Sequence, residues 1–109
     1  MAEFLLLFVG LGAPERVEDD VTRAYAGEWA AWMSDLSGHG HLVAGAALQP
    51  SAQRVDRDGV TDVELDRVDV GGYALISADS MELATAIAAT APHTKLGGST
   101  IVRPVMAQG

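Results

Sequence analysis

Residues 4–9 read FLLLFV, a continuous apolar run with Gly10 directly after it. Six residues are too few for a stable helix, and a short apolar run of this kind is typical of a strand buried on both faces. Successive side chains of a strand point to opposite faces, so the even-numbered residues of the run share one face and the odd-numbered residues share the other. Both faces of this strand therefore need apolar cover.

The patterns that follow this run predict six further elements. Apolar residues recur at helical spacing between 15 and 37, with Gly38 as the expected C′ residue. Asp79 and Glu82 form a capping box for a second helix, which ends near Ala91 before a proline. The remaining elements are a strand over 41–48, a hairpin around Asp58-Gly59, a strand over 71–78 and a strand over 99–105.

The predicted order, β-α-β-hairpin-β-α-β, is that of a ferredoxin-like α+β sandwich, in which a four-stranded antiparallel sheet carries two helices on one face. At 109 residues the chain (1–109) is expected to form one domain. Two helices cover only one face of the sheet, so the odd-numbered side chains of residues 4–9 would leave an apolar patch on the other. The sequence therefore predicts a homodimer whose open sheet faces pack together.

Composition and charge limit the partners. Fifteen acidic and seven basic residues give a net charge of −8, and Lys and Arg do not cluster, so neither nucleic acid nor an anionic membrane is an expected partner. The chain has no cysteine, which excludes disulfides, thiolate catalysis and Cys-bound zinc. Glu3 replaces the cationic start of a signal peptide, and no apolar run approaches the ~18 residues of a membrane span. We expect a cytoplasmic protein.

A glycine pair after the first strand invites comparison with a dinucleotide-binding loop. Gly10 and Gly12 have the spacing of the first two glycines of that loop, but Glu15 stands where the third glycine is required. We therefore expect no cofactor.

Four segments resemble the YCII-related domain family, and in particular its DGPF subgroup. They are FLLLF at 4–8, GHLVAGAALQP at 40–50, GGYALI at 71–76 and GGSTIVRPV at 97–105, and together they extend the resemblance over residues 4–105. The last segment is the most specific. The resemblance implies a dimeric α/β barrel built from ferredoxin-like protomers, in agreement with the architecture that the hydrophobic pattern predicts.

The chain departs from this family at the positions to which the resemblance assigns function. The subgroup's Asp-Gly-Pro-Phe segment corresponds here to Asp58-Gly59 followed by Val60-Thr61. Other members of the wider family resemble enzymes with a histidine in the first helix and an aspartate just after the second. Those positions correspond to Glu28 and Ala91 in this chain, so the resemblance implies no His–Asp pair here.

Two of the three histidines, His39 and His41, lie in the sequence GHGH at residues 38–41. Residues two apart in a strand point the same way, so their imidazoles can share one metal ion, with His93 or Glu28 as a further ligand. The flanking glycines favour another interpretation, a helix end that leads into a turn, with His39 in solvent and His41 at the start of a strand. We predict no metal site and keep His41 and His93 as candidate catalytic residues.

Further candidates come from the helix and strand patterns. Glu28 is either an exposed helical glutamate or a carboxylate that faces the cleft between helix and sheet, where it can act as a general acid or base. Trp29 and Trp32 lie three apart on the first helix and either pack in the core or line an aromatic pocket. Tyr73 lies in a core strand. Arg103, in the last strand, is expected to pair with a carboxylate or to bind a ligand anion.

Three functions follow from these candidates. The preferred one is a dimeric binding module that holds a small organic molecule in a pocket between helices and sheet. The expected ligand-binding residues are Trp29, Trp32, Tyr73, Arg103 and His41. The second is an acid–base enzyme of the lyase or isomerase type, acting on a small cyclic or carbonyl substrate through Glu28 with His41 or His93. The third is a structural or regulatory partner protein without catalysis.

Overall fold

The computed structural model describes residues 2–10, 20–49, 51–64 and 70–106. Within these ranges lie six strands, two α-helices and a short 3₁₀ helix. In chain order they are β1 (Ala2–Val9), α1 (Asp20–Gly38), β2 (Leu42–Ala47), β3 (Ser51–Asp56), β4 (Gly59–Glu64), β5 (Val70–Ala78), α2 (Met81–Ala88), the 3₁₀ helix (Pro92–Leu96) and β6 (Ser99–Pro104). The α+β fold predicted from the sequence is confirmed. Residues 15–19 of the predicted first helix lie outside the described ranges.

The apolar run that begins at Phe4 forms a central strand of the main sheet. The sheet has the order β2-β5-β1-β6, and neighbouring strands are antiparallel. At the middle of β1, Leu6 lies opposite Ala74 on one side and Val102 on the other. Since both edges of β1 are hydrogen-bonded to neighbours, this strand depends on its two faces alone for contact with other layers.

The alternation along β1 separates a buried face of the sheet from an open one. Phe4, Leu6 and Phe8 are at most 4% exposed and form the core with Trp32 and Leu36 of α1 and with small residues of α2. Both helices therefore pack on the same face of the sheet. The odd-numbered residues of β1 point the other way and remain half-exposed, as the sequence predicts.

The face of the main sheet that the helices leave uncovered carries an apolar patch, called here the open face. Leu7 lies opposite Tyr73 of β5 on one side and Ile101 of β6 on the other. Leu5 lies opposite Leu75 and Arg103 in the same way. The open face consists of Leu5, Leu7, Val9, Ala44, Ala46, Tyr73, Leu75, Ile101 and Arg103, all of them half-buried or exposed in the protomer.

Strands β3 and β4 form a separate two-stranded sheet. The turn between them is Arg57-Asp58, one residue earlier than the Asp58-Gly59 turn predicted from the sequence. The hairpin packs against no other helix or strand of the described ranges. Val55 and Val60 pair near its tip and are 73% and 62% exposed. A two-stranded hairpin alone is only marginally stable in water, and the described elements of the protomer add no packing to this one.

Two helix caps differ from the sequence prediction. α1 ends in a Schellman motif whose C′ residue is Gly40, with φ +76, whereas Gly38 is still helical. α2 starts after Ser80, whose Oγ accepts a hydrogen bond from the Leu83 N–H at 3.1 Å. The predicted cap at Asp79 is therefore wrong by one residue, because the serine hydroxyl already occupies the N3 donor.

The second helix is also shorter than predicted. α2 ends at Ala88, four residues before Pro92. Pro92 lies in the first turn of the 3₁₀ helix, where the backbone N–H that proline lacks would have no helical acceptor. His93 therefore lies in a helical turn rather than in a loop. None of the helices in the described ranges is long and apolar enough to cross a membrane.

Candidate functional site

A groove of about 500 Å³ lies between α1 and the segment that follows α2, and its volume falls within the range of small-molecule sites. It is called here the helix groove. Its polar and aromatic lining comes from Glu28, Trp32 and Asp35 of α1 and from Thr90, Thr94 and Lys95 beyond α2. The groove is open to solvent along its length, and small apolar residues, among them Ala31 and Pro92, complete its wall.

Trp32 joins the two walls of the helix groove. Its indole N–H donates to the Thr90 hydroxyl at 2.8 Å, and that hydroxyl donates in turn to the Ile87 carbonyl at 2.7 Å. Trp32 is 8% exposed, so most of the ring packs in the core while one edge reaches the groove. Because both polar groups have partners, the position of this ring is fixed before any ligand arrives.

Glu28 and Lys95 form an ion pair across the rim of the helix groove. The Glu28 side chain is 43% exposed and the Lys95 side chain 59% exposed, so both charges remain in contact with water. Exposed pairs of this kind add little to stability, which leaves the two groups free to exchange their contact for one with a ligand. Of the predicted catalytic residues, Glu28 is the one that lines the groove.

His93 lies beneath the helix groove, in an aromatic cluster, and is 0% exposed. Its ring centre is 5.5 Å from that of Phe8 and 5.4 Å from that of Trp29. Trp29 in turn contacts Trp32 edge to face at 5.6 Å between ring centres. His93 and Trp29 do not line the groove but support its floor from below.

The hydrogen bonds of His93 define the tautomer of its neutral ring. Nε2 donates to the Ser99 carbonyl at 2.7 Å, so the neutral ring carries its lone pair on Nδ1. Nδ1 is buried and has no hydrogen-bond partner within the described part of the chain. Such orphaned buried atoms are rare, and here the atom belongs to a ring that a substrate cannot reach without displacing its neighbours.

Gly98 gives His93 the space that it occupies. A Cβ built at this position would clash with the Gly10 carbonyl oxygen and with the imidazole Cδ2, and would lie 3.0 Å from its Cγ. The close approach of two backbone segments and a ring therefore requires glycine here. The second glycine of GGSTIVRPV thus has a packing function next to the candidate site.

His41 lies at the other end of the sheet. Its Nδ1 donates to the Ser77 carbonyl at 2.9 Å, and Ser77 of β5 lies opposite Glu3 of β1. His93 packs on Phe8, five residues further along β1, which corresponds to about 17 Å at 3.3 Å per residue. The structure therefore does not bring His41 together with His93 at one cavity.

Tyr73 and Arg103 lie on the open face, on the side of the sheet opposite to the two tryptophans. The predicted ligand-binding residues thus divide into two groups within one protomer, with Trp29 and Trp32 among the helices and Tyr73 and Arg103 beyond the sheet. The period-2 pattern contains this information, since Tyr73 is in register with Leu7 rather than with Phe8.

Sequence reasoning missed Lys95, which the fold places beside Glu28, 67 residues earlier in the chain. The available signal was its rarity, because Lys95 is the only lysine among the seven basic residues. Asp35 and Thr90 were missed as well, since a helical aspartate and a threonine near a helix end are common features without functional meaning. No group of three or more metal-ligating side chains is present in the described ranges.

No family model matches the chain, and no curated protein does. Among solved structures the chain is similar to 5-chloro-2-hydroxyhydroquinone dehydrochlorinase from Burkholderia phenoliruptrix AC1100, in complex with 2,5-dihydroxybenzoquinone. The match has a TM-score of 0.58 and 18% identity, and covers 98% of this chain and 95% of that one. A likeness at this identity shows a common fold.

Replacing Gly98 with alanine tests the packing beneath the helix groove. We expect Gly98→Ala to lower the free energy of unfolding by about 1–3 kcal/mol, because the new methyl group must displace the His93 ring or the Gly10 backbone. Gly27→Ala is the matched control: nothing lies within 4 Å of its Cβ, and alanine should stabilise α1 by about 0.5–1 kcal/mol. Denaturant unfolding of the two variants at equal concentration would refute this packing if Gly98→Ala matched the wild type.

Proposed function

We propose that this protein binds a small organic molecule in the helix groove. The observation that carries the proposal is the combination of an aromatic and aliphatic wall with two opposite charges at one rim. Small-molecule sites have this composition, in which apolar surface supplies affinity and a few convergent polar groups fix orientation. Trp32 supplies the rigid apolar surface, and Lys95 and Glu28 supply the donor and the acceptor.

The proposed ligand class is a small ring that carries ionisable oxygens. Lys95 presents an ammonium donor to an anionic oxygen, while Glu28 and Asp35 accept from hydroxyl groups. Ring carbons stack or pack against Trp32 and Pro92. The similar fold of a dehydrochlorinase bound to 2,5-dihydroxybenzoquinone supports this class and provides a probe with two acidic hydroxyl groups.

The second part of the proposal is a homodimer in which two open faces pack together. The protomer leaves Ile101 49% exposed on the strand next to Leu7, and the open face extends over all four strands of the main sheet. Soluble monomers rarely expose a contiguous apolar patch of this kind. The hairpin β3–β4, which packs on no other helix or strand of the described residues, also gains a surface if a second copy lies nearby.

A catalytic function of the same groove is the second candidate. Glu28 is a solvent-accessible carboxylate next to an ammonium group, which suits proton abstraction from a ring substrate followed by stabilisation of the resulting anion by Lys95. The dehydrochlorinase of similar fold favours elimination of HCl as the reaction to test, in which a base takes a proton and chloride leaves with the electron pair of its bond.

The finer assignments made from the sequence are proposals as well. We propose that residues 1–109 form one domain of the DGPF subgroup of the YCII-related family, and that the protein acts in the cytoplasm. The resemblance of the four segments and the fold of the neighbour support the first assignment. The absence of cysteine and of a membrane-spanning helix in the described ranges agrees with the second.

The ligand proposal predicts that ligand affinity depends on Lys95 and does not depend on Arg103. We expect Lys95→Met to weaken binding of 2,5-dihydroxybenzoquinone about tenfold or more, since a charge-assisted hydrogen bond contributes about 1.5–3 kcal/mol. Arg103→Met removes the same charge from the open face and serves as the matched control. Isothermal titration of both variants and of the wild type measures the difference.

Two results of that titration would contradict the proposal. If the wild type binds no probe at millimolar concentration, the helix groove is not a site for this ligand class. If Arg103→Met loses as much affinity as Lys95→Met, the ligand lies on the open face or responds to net charge, and the groove assignment fails.

The dimer proposal predicts a solution mass of about 23 kDa, twice the chain mass of 11.4 kDa. We expect Leu7→Glu to shift the protein to the monomer, because it places a charge at the centre of the paired faces, where burial without a partner is costly. Met81→Glu, at the exposed start of α2 on the helix side of the sheet, is the matched control and should leave the mass unchanged. Light scattering behind size exclusion would reject the proposal if the wild type were monomeric at tens of micromolar.

The catalytic candidate predicts chloride release from 5-chloro-2-hydroxyhydroquinone. We expect Glu28→Gln to lower the rate of release about 10²-fold or more, the usual contribution of a general base, while Glu82→Gln on the exposed first turn of α2 leaves it unchanged. A chloride electrode measures the rate of release for the wild type and the two variants. No release by the wild type would remove this candidate and leave ligand binding as a separate question.

A further inference from the structure

The GHGH segment is part of a rigid helix cap. The Gly40 N–H donates to the Ser37 carbonyl at 3.1 Å and the His41 N–H to the Leu36 carbonyl at 2.9 Å, which are the two hydrogen bonds of a Schellman motif. Gly40 is the left-handed C′ residue, with φ +76. The motif therefore fixes the backbone of His39 and of His41 on either side of a sharp turn.

The turn brings the two imidazoles together on one side of the chain. Their ring centres are 6.5 Å apart, and their planes are inclined by only 18°. His39 is exposed and His41 is half-buried, so both residues keep some contact with solvent. His39 follows Asp35, a lining residue of the helix groove, by one helical turn.

In both histidines the Nδ1 atom forms the hydrogen bond that orients the ring. The Nδ1 atom of His39 donates to the Asp35 carbonyl at 2.7 Å, and the Nδ1 atom of His41 donates to the Ser77 carbonyl at 2.9 Å. A carbonyl oxygen only accepts, so each neutral ring carries its proton on Nδ1 and its lone pair on Nε2. A backbone carbonyl on one nitrogen is the arrangement that orients histidine as a metal ligand through the other.

We propose that His39 and His41 bind one borderline transition-metal ion, such as Ni²⁺, Cu²⁺ or Zn²⁺, through their Nε2 atoms. Imidazole nitrogen is a preferred ligand of these ions, whereas Mg²⁺ and Ca²⁺ require oxygen. This inference is independent of the proposed ligand of the helix groove. It departs from the sequence prediction of no metal site, because the turn at Gly40 brings the two rings together.

The separation of the rings is compatible with a shared ion. A metal–nitrogen bond of about 2.0–2.1 Å and a ring radius of ~1.1 Å place two imidazole centres about 5 Å apart at a tetrahedral angle and about 6.4 Å apart on opposite sides of the metal. The observed 6.5 Å is slightly longer than the larger of these two distances. A small rotation of the exposed His39 side chain closes the difference. Water completes the coordination shell, since no third side-chain ligand stands nearby in the described ranges.

The site is tested by titration of tag-free protein with Ni²⁺. We expect one equivalent to bind, and His39→Asn and His41→Asn each to weaken binding about a hundredfold, because either change leaves one ligand in place of two linked ones. Asp35→Asn is the control for the carboxylate one helical turn before His39 and should leave the affinity unchanged. Melting temperatures in the absence of metal establish that the variants remain folded.

A second readout needs no variant. Paramagnetic Ni²⁺ should broaden the imidazole signals of His39 and His41 at substoichiometric amounts, while those of the buried His93 stay sharp. The proposal is overturned if the double variant His39→Asn/His41→Asn binds Ni²⁺ as well as the wild type does. It is also overturned if Asp35→Asn loses as much affinity as the histidine variants, or if all three histidines broaden alike.

Discussion

Strand β1 is apolar on both faces, and the rest of the structure depends on how those faces are covered. Phe4, Leu6 and Phe8 take the two helices as cover and become the core. Leu5 and Leu7 receive no cover from the described part of the protomer, although their burial is worth roughly as much per side chain, about 1.5–3 kcal/mol. The open face is therefore the surface on which the proposed second copy would pack.

The covered face also determines where the candidate site can form. Phe8 contacts the rings of Trp29, Trp32 and His93, with ring centres 5.0, 5.8 and 5.5 Å away, so one β1 side chain positions residues from both helical segments. Trp32 then reaches across to Thr90 and fixes the distance between the walls of the helix groove. The groove is thus a consequence of core packing. Glu28 and Lys95 at its rim are exposed and contribute little to that packing.

The sequence predicted the elements well because each had a local cause. The period-2 and helical patterns, the glycine and proline positions and the apolar run at β1 each act within a few residues. The errors were local as well: Ser80 rather than Asp79 caps α2, and Gly40 rather than Gly38 ends α1. In both cases two candidates within two residues of each other were chemically similar, and the choice between them depends on backbone geometry that the sequence does not show.

The candidate site was predicted less well, because its parts meet only after folding. Glu28 was identified from the sequence, but its partner Lys95 is 67 residues away, and no periodicity connects them. Tyr73 and Arg103 were grouped with the tryptophans by residue type, although strand register puts them on the opposite face. His93 was selected as a catalytic candidate for the chemistry of its imidazole. The structure instead buries it among aromatic rings, in the space that Gly98 leaves free.

The division of the protomer into two faces has a consequence for coupling between its proposed activities. The helix groove and the open face lie on opposite sides of one sheet, so a ligand in the groove touches no residue that a second copy would cover. A ligand changes an association equilibrium only by the difference in its affinity for the two states. Coupling would have to pass through β1 itself, from Phe8 beneath the groove to Leu7 beside it on the other face. Because neighbouring residues of a paired central strand are held by hydrogen bonds on both edges, such a shift is small, and binding at the groove and pairing of the open faces should be nearly independent.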